Sequence, residues 1–210
     1  MIEMTVDKQS LEAALAAIGN VGPSARFAAS IGINRTLNEA QDAIRAGLGG
    51  RFTLRREAFI KSTIYRKPGE DFASKTTLSG GVRVNPARDV LAKFEEGGTK
   101  RPQSGKALAI PINVKRNASD IVTRANSVRA ILASGKAFIK NGRVWQRIGR
   151  GKRATLRLAY VFKPSVSIAP RLEFVETGTK VINERIVDNI AGAIQVELER
   201  GLVTRNPAAS

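Results

Sequence analysis

Residues 136–162, KAFIKNGRVWQRIGRGKRATLRLAYVF, hold eight Lys or Arg, the chain's one tryptophan and no carboxylate. The chemistry open to such a ribbon is charge-assisted hydrogen bonding from guanidinium and ammonium groups to phosphate or carboxylate oxygens. Lys140, Arg143, Arg147, Arg150, Lys152, Arg153 and Arg157 are the candidate donors, and Trp145 offers a flat surface on which a base stacks. Three uses stand open: phosphate contact, a solvated strand face with Phe138 and Trp145 packed together, or docking onto an acidic subunit. Between Asp120 and Glu173 there are twelve Lys or Arg and no acidic side chain, so internal ion pairing cannot neutralise the field.

Other chemistries fit less well. A Walker-type phosphate loop needs a glycine five residues before its final Gly-Lys and a hydroxyl residue after the lysine. Around GRGKR those places hold Gln146 and Arg153, and in GGTKRPQSGKA they hold Lys100 and Ala107. The carboxylate groupings Glu95-Glu96, Glu70-Asp71 and Glu173 with Glu176 suggest two-metal or glycosidase chemistry on paper. Adjacent acids on one element point apart, however, and acids in the first turns of a helix complement its dipole. The chain has no His and no Cys, which excludes Ser-His-Asp and Cys-His catalysis and the usual zinc sites. No catalytic residue, metal ligand or cofactor site is nominated.

Thirty-five basic against 18 acidic residues set a net charge of +17, well beyond what solubility requires, and point to a polyanion or an acidic protein surface as neighbour. With 210 residues and 42% apolar composition the chain can bury one substantial core, or divide into a body and a smaller subdomain; a single domain over 1–210 is expected. Its core should be aliphatic, since only 5% of residues are aromatic. The opening MIEMTVDKQSLEAALAAIG does not read as a secretion signal, and no run approaches the roughly 18 apolar residues of a membrane span.

The elements that must position the ribbon follow from periodicity. A short helix is expected over 6–18, and a long amphipathic helix from a Ser24 cap to the Gly49-Gly50 stop, with a further turn or two in LRREAFIKS. Short β-type runs follow in STIYR, GGVRVN and ALAIPINV, separated by connectors of which 95–107 reads as an exposed mobile loop. ASDIVTRANSVRAILASGK reads as a helix capped by Ser119 or Asp120 and stopped at Gly135.

Asn141-Gly142 then predicts a type I′ hairpin pairing Lys140 with Arg143, Ile139 with Val144 and Phe138 with Trp145. With the run ATLRLAYVF it becomes a three-stranded meander. A final helix runs from Leu172 to a stop at Gly201, with a frayed tail over 203–210. The fold class is α+β: a mixed or antiparallel sheet with a hairpin or meander, flanked by the long helix of the N-terminal half and the C-terminal helix.

Two stretches together resemble the minor tail protein Z family, the tail completion proteins of long-tailed bacteriophages. They are ARFAASIGINRTLNEAQDAIR, with INRT at Ile33 to Thr36, and FIKNGRVWQRIGRGKRATLRLAYVFKPSVSIAP with the helix after it. The likeness covers residues 24–61 and 135–200, about half the chain. VLAKFEEGGTKRP is similar to a Phe-Glu-x-Gly-Thr stretch of related phage neck and head-tail joining proteins, with one extra glycine. The resemblance implies a structural virion protein, not an enzyme, at the head-proximal end of the tail and in the host cytoplasm during assembly. It implies a homo-oligomeric ring, tail terminator, tail tube and head-tail connector proteins as partners, genomic DNA as a further contact, no membrane and no cofactor. The alternative from the residues alone is a sequence-nonspecific nucleic-acid-binding protein using the basic hairpin 136–157.

Overall fold

The computed structural model describes residues 3–5, 23–85, 91–149 and 151–205, with the side chains of 23, 24, 152 and 201–205 outside that description. The helix expected over 6–18 and the candidate Arg150 lie outside the described residues. The fold is α+β, with two long helices and antiparallel sheets. Two hydrophobic clusters form, and the chain divides between two compact units: residues 1–95 with 171–210, and residues 96–170 inserted between them. The buried apolar side chains are thus shared between two clusters, one in each unit.

The first unit is organised by α1, Pro23–Arg51. Ala29, Ile33, Leu37, Ala40, Ile44 and Leu48 recur at intervals of three and four and are fully buried. Each of the larger aliphatics contributes roughly 1.5–3 kcal/mol on leaving water. Ser24 lies inside the first turn rather than before it, with Pro23 at the helix start. The helix also runs through Gly49 and Gly50 instead of stopping there. Arg51 explains this: its guanidinium donates to Leu172 O (2.9 Å) and Thr177 Oγ1 (3.0 Å) and pairs with Glu173 at 2.5 Å. Two glycines cost about 2 kcal/mol in a helix, which those tertiary anchors offset.

The partner of α1 is α4, Phe174–Arg205, which buries Phe174 and Ile190 and half-buries Val181, Ile182, Ile186 and Ile194. It begins two residues after Leu172 and passes through Gly201 to Arg205; one glycine costs about 1 kcal/mol, too little to end an established helix. The short α2, Glu57–Lys61, lies where LRREAFIKS placed it. β1 (Glu3–Thr5), β2 (Ile64–Tyr65) and β3 (Gly81–Val84) form an antiparallel sheet in the order β1-β3-β2.

INRT is architectural in this unit. Ile33 is core, Thr36 Oγ1 donates to Gly32 O and receives Asn189 Nδ2, and Asn34 clamps the segment after β2. Asn34 Nδ2 donates to Ala73 O at 2.8 Å, while its Oδ1 accepts from Arg66 Nη2 at 2.6 Å and Ala73 N at 3.0 Å. Arg66, 7% exposed, also reaches Asn38 Oδ1 (2.6 Å), Asn34 O (3.1 Å), Asp71 O (2.9 Å) and Gly81 O (3.3 Å), with its guanidinium over the Phe72 ring.

The inserted unit carries the basic ribbon. β4 (Gly98–Lys100) pairs antiparallel with β9 (Val166–Ile168), so part of the 95–107 connector is a strand. β5 (Leu108–Pro111), β6 (Ala137–Lys140), β7 (Arg143–Ile148) and β8 (Thr155–Lys163) make an antiparallel sheet in the order β5-β8-β7-β6. One face is covered by α3, Val128–Ala133, whose Ile131 packs with Val144, Ala159 and Tyr160.

The helix expected from Ser119 or Asp120 begins only at Val128. Asn117 Oδ1 accepts the amides of Ser119 and Ile121, and Asp120 takes φ +56°, which hold that segment in a turn. A 3₁₀ turn at Arg124–Asn126 follows, and Ser127 is the cap, accepting from Ala130 N.

Candidate basic interface

The site starts from a turn. Asn141 and Gly142 take φ +51° and +67°, the left-handed pair that a type I′ hairpin requires. The turn sets the register Lys140 to Arg143, Ile139 to Val144 and Phe138 to Trp145, as the sequence predicts. Directly opposed residues share a face, so Phe138, Lys140, Arg143, Trp145 and Arg147 stand together, on the side away from the cluster around Val144. On β8 the register shifts between Val144 and Trp145, which places Leu158 opposite Trp145 and Leu156 opposite Arg147.

An open hollow of about 310 Å³ results, lined by Phe138, Lys140, Asn141, Arg143, Trp145 and Leu156. Phe138 and Trp145 are half-buried, Leu156 is 57% exposed, and the Arg147 guanidinium lies 5.2 Å from the centre of the Phe138 ring. An apolar floor with a cationic rim can hold a flat or aliphatic group while binding an anion beside it.

Of the nominated residues, Lys140, Arg143 and Trp145 line this hollow and Arg147 stands beside it. Arg157 does not join them: it opposes Gln146 on the other face and donates to Gln146 Oε1 at 2.8 Å. Arg153 is exposed in the 3₁₀ turn Gly151–Arg153, and Lys152 lies in the same turn with its side chain undescribed. Phe138, Asn141 and Leu156 were not nominated as site residues. The hairpin register brings in Phe138, whereas Leu156 depends on the β7–β8 shift, which no local motif announces.

Charge is concentrated around the site. Residues 96–170 hold sixteen of the 35 Lys and Arg but only Glu96 and Asp120 of the 18 acids, so this unit carries +14 of the chain's +17. Asp120 pairs with Arg116 at 3.5 Å. The sheet face bearing the hollow has no carboxylate among its strand residues.

No family model, curated protein or solved structure matches the chain. The carboxylate groupings each have a structural occupation. Glu95 accepts the amides of Phe174 and Val175, Asp71 is 1% exposed and bound by Arg83 and the Lys67 amide, and Glu70 pairs with Lys67. The Lys67 ammonium, hydrogen-bonded to Glu70, holds that carboxyl below its usual range. Glu173 pairs with Arg51. GRGKR leads into strand β8 and not into a helix, so the helix N-terminus that a phosphate loop uses does not follow it. Among the described residues no group of three or more acids is placed to hold a metal ion, and no helix is long and apolar enough to cross a membrane.

Proposed function

We propose that the chain is a structural virion subunit that completes the head-proximal end of a phage tail and joins it to the neck, entering a ring and docking through the basic inserted unit. The observation that carries this reading is the segregation of charge: +14 sits on one 75-residue insertion, whose sheet presents apolar and cationic side chains on the same face. Interfaces between subunits combine an aromatic and Arg-rich centre with a polar rim, and a positive patch of this size calls for an acidic neighbour. The resemblance of residues 24–61 and 135–200 to tail completion proteins supplies the setting, and no catalytic step belongs to the reading. Tail terminator, tail tube or connector subunits are the partners, with genomic DNA as a further contact.

Electron microscopy of particles purified with a tagged copy of the chain tests it. Tag density at the head-tail junction is expected, and absence of the chain from the particle overturns the assignment.

The hollow favours one second reading, a sequence-nonspecific nucleic-acid binder that stacks a base on Trp145 and holds phosphates with Lys140 and Arg143. Under that reading the affinity for a single-stranded oligonucleotide falls steeply with salt. Arg143→Ala would flatten the log–log slope by about 0.7 for the lost phosphate contact.

A further inference from the structure

The sheet of the inserted unit has two outer strands, and they are unlike. β5 ends in Pro111, which has no amide proton to offer an added strand. β6 has no proline and pairs only with β7. In the hairpin register Lys140, Phe138 and Lys136 direct their backbone bonds at β7, as the Arg147 amide donating to Lys136 O at 2.7 Å confirms. The N–H and C=O of Ala137 and Ile139 therefore point off the sheet, and among the described residues they have no hydrogen-bond partner. Ile139 is 55% exposed, an apolar side chain with more than half of its surface open to solvent at this edge.

We infer that the free edge of β6 receives an acidic β-strand from a partner subunit, extending the sheet by one strand beside the hollow. The occupant follows from charge. A second copy pairing antiparallel about Phe138 would set Lys136 against Lys140 twice, like charges directly opposed. A strand with acids at its first and fifth positions places one against each lysine, its third residue meets Phe138 at the hollow, and its second and fourth meet Ala137 and Ile139. Main-chain bonds from Ala137 and Ile139 give affinity, and the lysines give selection. This deepens the docking reading above and rests on it, but binding by the purified chain is measured apart from any position in a particle. A chain absent from virions that still binds the strand loses the first proposal and keeps this one.

The test titrates ¹⁵N-labelled full-length protein with the peptide acetyl-EVLVE-amide, with acetyl-KVLVK-amide as control. Protection of the Ala137 and Ile139 amides from exchange by the acidic peptide alone is the expected result. Ile139→Pro removes one outward donor and leaves the bonds to β7 intact, so it should weaken binding about tenfold. Should that variant misfold, the pair Lys136→Glu and Lys140→Glu decides, since it should transfer preference to the basic peptide. Unprotected amides at millimolar peptide, or equal binding of both peptides, overturn the inference. A single-stranded oligonucleotide that perturbs Trp145 and displaces the peptide while those amides stay unprotected assigns the face to nucleic acid instead.

Discussion

Glu95 accepts the amide protons of both Phe174 (2.9 Å, Oε2) and Val175 (3.0 Å, Oε1), capping α4 from 79 residues away in the chain. Two of the four orphan donors at the helix start are met by a carboxylate that also opposes the positive end of the dipole. Glu95→Ala should lower the stability of the helical unit by roughly 1–2 kcal/mol, and Glu95→Gln by less, since one acceptor oxygen remains. Urea denaturation followed by far-ultraviolet circular dichroism reads both. An unchanged midpoint for the alanine variant would mean that the cap contributes nothing.

Arg66 is a buried cation bound to five acceptors, two of them the side chains of Asn34 and Asn38. Burial draws its pKa down and the nearby Asp71 opposes that shift. Arg66→Ala removes all five of these bonds, leaves Asn38 Oδ1 without its donor and takes the cation from Phe72, so the expected loss is about 3 kcal/mol or more. Asn34→Ala should cost less and lower the melting temperature in the same direction.

Two glycines of the long helices should respond with opposite signs to the same substitution. At Gly32 a Cβ would stand 2.6 Å from Ile190 Cα and 2.7 Å from Asn189 O, both backbone, so Gly32→Ala forces α1 and α4 apart and costs roughly 1–3 kcal/mol. At Gly192 a Cβ meets nothing within 4 Å, and Gly192→Ala should add up to about 1 kcal/mol through helix propensity. Thermal melts of the two variants give the comparison directly.

Tyr160 gives the inserted unit an alkaline limit. Its hydroxyl donates to Asn126 O at 2.6 Å, and burial raises its pKa above the ordinary value near 10, with Arg116 opposing. Above about pH 10 the unfolded chain releases the proton while the folded one keeps it, so stability is full below that pH and falls as pH rises through the folded pKa. Tyr160→Phe should lose about 1 kcal/mol at neutral pH with the hydrogen bond, and abolish this contribution to the alkaline decline. A near-ultraviolet pH titration of the two proteins separates these effects.

The hairpin was legible because Asn141-Gly142 fixes a turn type, the turn fixes the register, and the register fixes which side chains share a face. The stripe of α1 was legible for a similar reason, since a buried helix face repeats locally. What local sequence does not carry is the distant partner. Gly49-Gly50 reads as a stop until Arg51 is seen holding Leu172 and Glu173, and Glu95 reads as a surface acid until α4 begins beneath it. The cap at Ser127 was missed because Asn117 and Asp120 compete for the chain upstream, and turn chemistry won over helical period there. In the candidate site the cations and Trp145 could be named from composition, whereas the exclusion of Arg157 required the β7–β8 register.

The carbonyl of Phe94 accepts the amides of both Arg171 and Leu172, at 2.7 and 2.8 Å, where the chain returns to the helical unit, and β4 and β9 zip together just beyond. Departure and return are thus riveted at one point, and only a short span of backbone separates them. An insertion joined this way can be lengthened or shortened without altering the spacing of its two ends. A change of charge within residues 96–170 therefore leaves the buried stripe of the two long helices untouched, since every residue of that core lies outside the segment.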